Sequence, residues 1–152
     1  KFFIIGDGPL RDSLIRAVRL ADADEYVQLL GYVHPDEIPF FIHSSKLCLI
    51  PYLHTPLTRV SMPTKLFEYI SLGKAVVYPD FPSFMEVLGQ TNPGMYASTI
   101  SNDIIRVIEK LLKDQELRTV TENQNKSIAS QYDYNMEIDK ITHLYDEVCL
   151  RK

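Results

Sequence analysis

Apolar residues along this chain fall into short runs divided by stretches of helical spacing. Phe2-Phe3-Ile4-Ile5, Val27-Gln28-Leu29-Leu30, Leu47-Cys48-Leu49-Ile50 and Ala75-Val76-Val77-Tyr78 each have the length of a strand and end at glycine or proline. Strands that are apolar almost throughout, rather than at alternate positions, belong to a sheet covered on both faces. Between them the spacing predicts helices. One runs from Pro9 to about Ala21, with Leu10, Leu14, Ile15 and Val18 inward. A shorter one starts at Pro35, with Ile38, Phe41 and Ile42 inward and the acidic pair Asp36-Glu37 complementing the helix dipole. A third starts at Pro63, puts Leu66, Phe67 and Ile70 on one face and stops at Gly73. Ser83 is placed to cap a short helix holding Glu86, Val87 and Leu88, ahead of a last short strand, Gly94-Met95-Tyr96-Ala97.

Beyond that strand the pattern is purely helical. Ser101 or Asn102 caps a helix with Ile104, Ile105, Val107, Ile108, Leu111 and Leu112 inward. The next starts near Gln115 with Leu117, Val120, Gln124 and Ile128 inward, and the last carries Tyr134, Ile138, Ile141, Tyr145 and Val148 on one stripe. Strands alternating with helices mean parallel pairing through crossover helices. The expected fold is α/β: a doubly wound, Rossmann-like parallel sheet with helices on both faces and a helical C-terminal tail. No repeat, low-complexity tract or linker interrupts the pattern, so residues 1–152 read as a single domain. The chain begins without Met, directly in an apolar strand, and so reads as a strand cut from a longer protein.

With 152 residues the chain is long enough for a proper core, and 45% hydrophobic and 24% charged residues are the balance of a soluble globular domain. A net charge of −4 with no basic stripe argues against nucleic acid as partner. No apolar run has the length of a membrane span, and the N-terminus is neither a signal nor a transit peptide. Cys48 and Cys149 fall in elements expected to be buried, as small hydrophobes in a reducing cytoplasm. The cysteines have no metal spacing, and neither do His34, His43, His54 and His143. No nucleophile elbow supports hydrolase chemistry.

Candidate chemistry concentrates at one place. Ligands of doubly wound sheets bind beyond the carboxyl ends of the strands. Gly6–Pro9, Gly31–Pro35 and Tyr52–Thr64 lie there, and the Tyr52–Met62 loop has a length usually reserved for function. It leads into the helix that begins at Pro63, whose N-terminus suits an anion. Glu68 shares a face with Thr64, a turn inside that helix, where a carboxylate can take hydroxyl hydrogen bonds. Together these sketch a site for a phosphate with a ribose attached. An ordinary strand-to-helix connection with a solvent-facing Glu is the alternative. The Gly6-Asp7-Gly8 turn resembles a dinucleotide fingerprint only weakly, because Arg11 and Asp12 stand where its third glycine is needed.

The order of these segments resembles the C-terminal, donor-binding half of a group 1 retaining glycosyltransferase of the B fold. The matching stretches are Phe3–Leu10, Leu30-Gly31-Tyr32-Val33, Leu47–Tyr52, Met62–Val77, Glu86-Val87-Leu88 and the closing Tyr-rich helix. The resemblance implies a nucleoside diphosphate sugar as substrate, a glycan or lipid-linked acceptor bound by a separate N-terminal domain, and no metal or other cofactor. It places Tyr32 and Val33 against the base and gives the backbone N–H groups of Thr64, Lys65 and Leu66 to the diphosphate. Glu68 goes to the ribose hydroxyls. It implies polysaccharide biosynthesis in the cytoplasm, with lipid-linked acceptors drawing the enzyme to the inner face of the membrane. Glu86 matches the family's glutamate after the following strand and equally suits an acid in the first turn of its own helix. His54 lies within reach of a sugar but stays outside the catalytic list, which is empty. Two departures stand out. The family's second glutamate, facing the donor sugar, is replaced by Val60, so the sugar contact must differ. Its diphosphate-binding Arg and Lys belong to a first strand and helix expected upstream of Lys1, so this chain alone is expected to bind a nucleotide weakly and to catalyse nothing. A nucleotide-sugar epimerase domain and a non-catalytic doubly wound regulatory domain are the competing readings.

Overall fold

Strands form at each of the predicted runs, and every pairing between them is parallel. The computed structural model describes residues 1–96, 101–132 and 134–150. It divides into two units, Lys1–Phe41 and Ile42–Lys152, each with its own ladder.

The first unit holds β1 (Phe2–Ile5), α1 (Arg11–Leu20) and β2 (Val27–Gly31), followed by a 3-10 turn at Pro35–Glu37 and the start of α2 (Ile38–Ser44). β1 pairs with β2 from Phe2 opposite Val27 to Ile5 opposite Gly31, with a register shift between Ile4 and Ile5. The Gly6 N–H continues the ladder onto the Gly31 carbonyl at 2.8 Å. The helix predicted from Pro9 begins two residues later, because Pro9 lies in a turn closed by Arg11 N–H donating to the Gly8 carbonyl. No residue of α1 is fully buried, and Leu10 and Leu14, expected inward, are exposed. A two-stranded ladder offers one helix little surface to cover.

The second unit carries a three-stranded ladder in the order β3 (Leu47–Leu49), β4 (Ala75–Pro79), β5 (Met95–Tyr96); the expected Ala97 lies outside the described residues. Its helices are α3 (Pro56–Val60), α4 (Thr64–Ser71), α5 (Pro82–Leu88), α6 (Ser101–Lys113), α7 (Gln115–Ala129) and α8 (Tyr134–Leu150). β4 is buried along its whole length and feeds two cores. Val76 and Tyr78 join Leu66, Ile70, Phe84 and Leu88 of α4 and α5 on one face. Val77 joins Leu111, with Ile104, Val107 and Ile108 of α6, on the other. Alternate residues of one strand thus serve helices on opposite faces, the doubly wound arrangement that an unbroken apolar strand implies.

Gly73 ends α4 at φ +67°, the left-handed conformation glycine adopts at no steric cost. Gly94 is needed for a different reason: a Cβ there would sit 1.8 Å from the Val76 carbonyl oxygen. Behind both turns lies a buried amide network. Asn125 on α7 donates from Nδ2 to the Lys74 carbonyl at 2.7 Å and accepts from Asn92 Nδ2 at 3.1 Å. Asn92 Oδ1 in turn accepts from the Gly94 N–H at 3.0 Å. Lys74 reaches back with its ammonium to the carbonyls of His43 and Ser45.

Several expectations are corrected. The buried positions of α7 are Thr121 and Asn125, whereas Val120 and Gln124, expected inward, are exposed. Thr121 satisfies its hydroxyl on the Leu117 carbonyl at 2.8 Å, which makes a polar side chain tolerable in the core. On α6, Ile105 and Leu112 are exposed, and on α8 so are Ile138, Ile141, Tyr145 and Val148. Ser83 is not a cap; it lies inside α5, whose N-cap is Phe81. Cys149 is exposed. Cys48 is buried as expected, and burial pushes its thiol up to about 12, with Lys74 pulling the other way. It stays a neutral hydrophobe, not a nucleophile, at neutral pH.

Candidate functional site

The local sequence leaves the N-terminus of α4 open. Pro63 is the N-cap, with φ −76° and ψ 136°, and has no side-chain oxygen to offer the helix. The first turn contains no acidic residue either. Among the described residues the N–H groups of Thr64 and Lys65 have no acceptor, while that of Leu66 donates back to the Pro63 carbonyl at 3.0 Å. Thr64, Lys65 and Glu68 are exposed, and Leu66 is buried in the core, so it can contribute only backbone. Glu68 stands four residues after Thr64 and therefore on the same face. Its carboxylate has no hydrogen-bond or ion-pair partner among the described residues. The result is a strip with two free amides at the positive end of a helix dipole, a hydroxyl beside them and a free carboxylate one turn on. The Lys65 ammonium sits 5.7 Å from the centre of the Tyr52 ring, so it is held over the incoming loop rather than fully solvated.

That loop is more ordered than its composition suggests. Thr55 and Thr58 form a reciprocal capping box that starts α3 with Pro56 in its first turn. Thr58 also donates its hydroxyl to the Leu53 carbonyl. Ser83 of α5 fastens the far end of the loop by donating to the carbonyls of Ser61, at 3.2 Å, and Arg59, at 3.4 Å. The sequence signal for α3 was present in Thr55-Pro56, a capping residue followed by proline at the first helical position, but it sits inside a stretch otherwise polar and turn-like.

His54 Nε2 lies 3.4 Å from Asp80 Oδ1, and its ring meets Phe81 edge-on with centroids 4.5 Å apart. Asp80 directly follows β4, and its N–H donates to the Tyr96 carbonyl at 3.0 Å. Burial and the nearby Asp80 carboxylate push the Tyr96 hydroxyl up to about 12, keeping it a neutral donor to the Ile50 carbonyl. α3 and α5 flank an open cleft of about 500 Å³ lined by Pro56, Arg59, Val60, Pro82, Ser83 and Glu86. Val60 is 75% exposed there, an apolar surface where the resemblance led one to expect a carboxylate.

Tyr32 and Val33 follow β2 in the first unit, directly after Gly31, which adopts φ +70°. Tyr32 is exposed and Val33 half-buried. Thr64, Lys65, Leu66 and Glu68 share α4 in the second unit. Among the described residues no group of three or more His, Cys, Asp or Glu side chains could hold a metal ion, and no helix is long and apolar enough to cross a membrane.

Residues 1–114 match the family model of the glycosyl transferases group 1. The TuaH glycosyltransferase assigned to teichuronic acid biosynthesis in Bacillus subtilis is 29% identical over 108 residues, covering 69% of this chain and 26% of that protein. The N,N'-diacetylbacillosaminyl-diphospho-undecaprenol alpha-1,3-N-acetylgalactosaminyltransferase of Campylobacter jejuni is 30% identical over 94 residues, 61% of this chain and 25% of that one. The chain thus spans about a quarter of the length of these relatives. Among solved structures, Anabaena HepE in complex with UDP superposes with a TM-score of 0.79 at 18% identity, over 95% of this chain and 40% of HepE. At that identity the likeness speaks for the fold alone.

Proposed function

Because the chain belongs to the group 1 glycosyl transferases, we propose that it is the donor-binding part of an enzyme that moves a sugar from a nucleoside diphosphate sugar to a hydroxyl of a glycan or lipid-linked acceptor. The observation that carries the reading is the uncapped N-terminus of α4 with a free carboxylate one turn inside it. The Thr64 and Lys65 amides take diphosphate oxygens, with Leu66 as the next amide once its bond to Pro63 is traded. Glu68 takes the ribose diol, the one part of a nucleotide that offers two neighbouring hydroxyl donors. Tyr32 and Val33 border the base. The intact enzyme positions donor and acceptor and stabilises the departing diphosphate, so the amides at α4 matter most when charge develops on the leaving group.

The bound UDP in the HepE structure supports a nucleotide at this fold. The names of the Bacillus and Campylobacter relatives support polysaccharide biosynthesis and a lipid-linked acceptor, and with it a place at the inner face of the cytoplasmic membrane. Transfer proceeds with retention at the anomeric carbon. Once donor and acceptor are known, the product's anomeric coupling constant should report the configuration of the donor, and an opposite configuration would overturn retention.

The donor site itself is tested by titrating UDP, GDP and ADP into the protein while following backbone amide resonances. One of the three should move Thr64, Lys65 and Leu66 in a saturable way. Silence at all three positions for every nucleotide would remove the donor-site reading.

A further inference from the structure

We infer that His54, oriented by Asp80, is a hydrogen-bonding residue for the sugar portion of the donor. This rests on the donor-site reading above and adds a contact to it.

The argument begins with position. β3 and β4 run parallel with Leu49 opposite Val77, so the segments that follow them leave the same edge of the ladder. His54 follows β3 and Asp80 follows β4, which puts both at the carboxyl edge. α4 is the crossover between those strands, and it runs back along the sheet into β4, so its N-terminus opens on that edge too. The Lys65 ammonium over Tyr52 ties the first turn of α4 to the loop two residues before His54. Helix N-terminus, free Glu68 and His54–Asp80 therefore belong to one edge of one unit.

The chemistry of the pair is specific. Asp80 Oδ1 is shielded from solvent and has no hydrogen-bond partner, although carboxylate oxygens in such places normally have one. His54 Nε2 lies 3.4 Å from it, a separation that a modest rotation of the ring closes, as happens when a loop tightens on its ligand. A proton held on Nε2 by Asp80 leaves Nδ1 of a neutral imidazole as an acceptor. Nδ1 has no partner among the described residues, and the side chain is 33% exposed. The T-shaped contact with the Phe81 ring fixes the plane in which that acceptor is presented. An acceptor for hydroxyl groups is what a sugar needs, and the exposed Val60 of the same loop supplies none. His54 contacts the sugar; Asp80 is a positioning residue that acts through it.

The test compares nucleotides with and without a sugar, using the full-length protein. UDP, GDP and ADP are titrated first, followed by UDP-glucose, UDP-N-acetylglucosamine, GDP-mannose and ADP-glucose. His54→Ala should leave affinity for the preferred nucleoside diphosphate within about twofold and weaken its sugar conjugate by about tenfold, the scale of one lost hydrogen bond. Asp80→Asn should act in the same direction with a smaller loss. His54→Asn, which keeps an acceptor near the position of Nδ1, should recover part of the affinity. In turnover the loss should appear in KM for the donor more than in kcat. Equal weakening of free and sugar-bearing nucleotide, or no change in either, would overturn the assignment. A thermal melt of each variant separates a misfolded loop from a lost contact, and His54→Asn carries the decision if the alanine variant does not fold. If the unsubstituted protein binds no nucleotide at all, the donor-site reading fails with it; if it binds nucleotides but the variants behave like it, only the His54 contact fails.

Discussion

Replacing Asn125 with alanine should lower the stability of the protein by about 2–5 kcal/mol, with a shift in the urea midpoint at unchanged slope. The side chain is fully buried on α7 and serves two partners, the Lys74 carbonyl and Asn92 Nδ2. Truncation leaves both without this partner, and each orphaned group costs about 1–3 kcal/mol. Asn92 then loses the fixed orientation in which its Oδ1 holds the Gly94 N–H. Gly94 has no slack to absorb that, because its Cα lies against the Val76 carbonyl. Gln124, exposed one residue earlier on the same helix, is the internal control, and its alanine variant should stay within about 0.5 kcal/mol of the parent. A loss of under 0.5 kcal/mol for Asn125→Ala would mean that the amide network adds nothing net to the fold. Lys74 forms the connection between α4 and β4 and is also tied to the His43 and Ser45 carbonyls. The network thus holds the C-terminal end of the helix whose N-terminal end forms the candidate site.

That helix shows what a sequence reveals on its own. Pro63 at the start, Gly73 at the end and Leu66, Phe67 and Ile70 on one face are local signals, and α4 forms where they say. β4 is equally plain, since four apolar residues before Pro79 have few other uses. The face of α7 was not legible for the opposite reason. Thr121 and Asn125 are polar, and their burial is tolerable because Thr121 bonds the Leu117 carbonyl and Asn125 bonds the Lys74 carbonyl and the Asn92 amide; the last two come from distant parts of the chain. On α1 and α8 the apolar stripes are real, but periodicity says which face is apolar and not whether anything covers it. The site divides along the same line. The place of Glu68 on the face of Thr64 was legible because helix geometry alone relates the two. The contact of His54 with Asp80 was not legible, because it depends on the register of β3 against β4, which no local pattern encodes.

Replacing Glu68 with glutamine should weaken binding of the preferred ribonucleoside diphosphate by about 1–3 kcal/mol, the range for a hydrogen bond to a charged group, while leaving the unfolding midpoint unchanged. The second expectation follows from exposure: the carboxylate has no partner among the described residues whose loss could matter to the fold. The sign of the first is informative. A carboxylate one turn from a diphosphate repels it, so removing the charge from a residue that merely sits nearby should tighten binding, most of all at low salt. Weakening therefore requires that the carboxylate be bonded to the nucleotide strongly enough to outweigh that repulsion. A 2′-deoxy nucleotide identifies the bond. UDP should bind the parent more tightly than dUDP, or the corresponding pair for whichever base is preferred, and Glu68→Gln should shrink that gap by lowering the ribonucleotide's affinity. Equal affinities for the two in the parent, or a variant that binds both more tightly, would place the ribose elsewhere and reduce Glu68 to a solvated charge. A weaker ribonucleotide and an unaltered deoxynucleotide make the exposed face of α4 a clamp with two functions, amides for the diphosphate and one carboxylate for the sugar ring between it and the base.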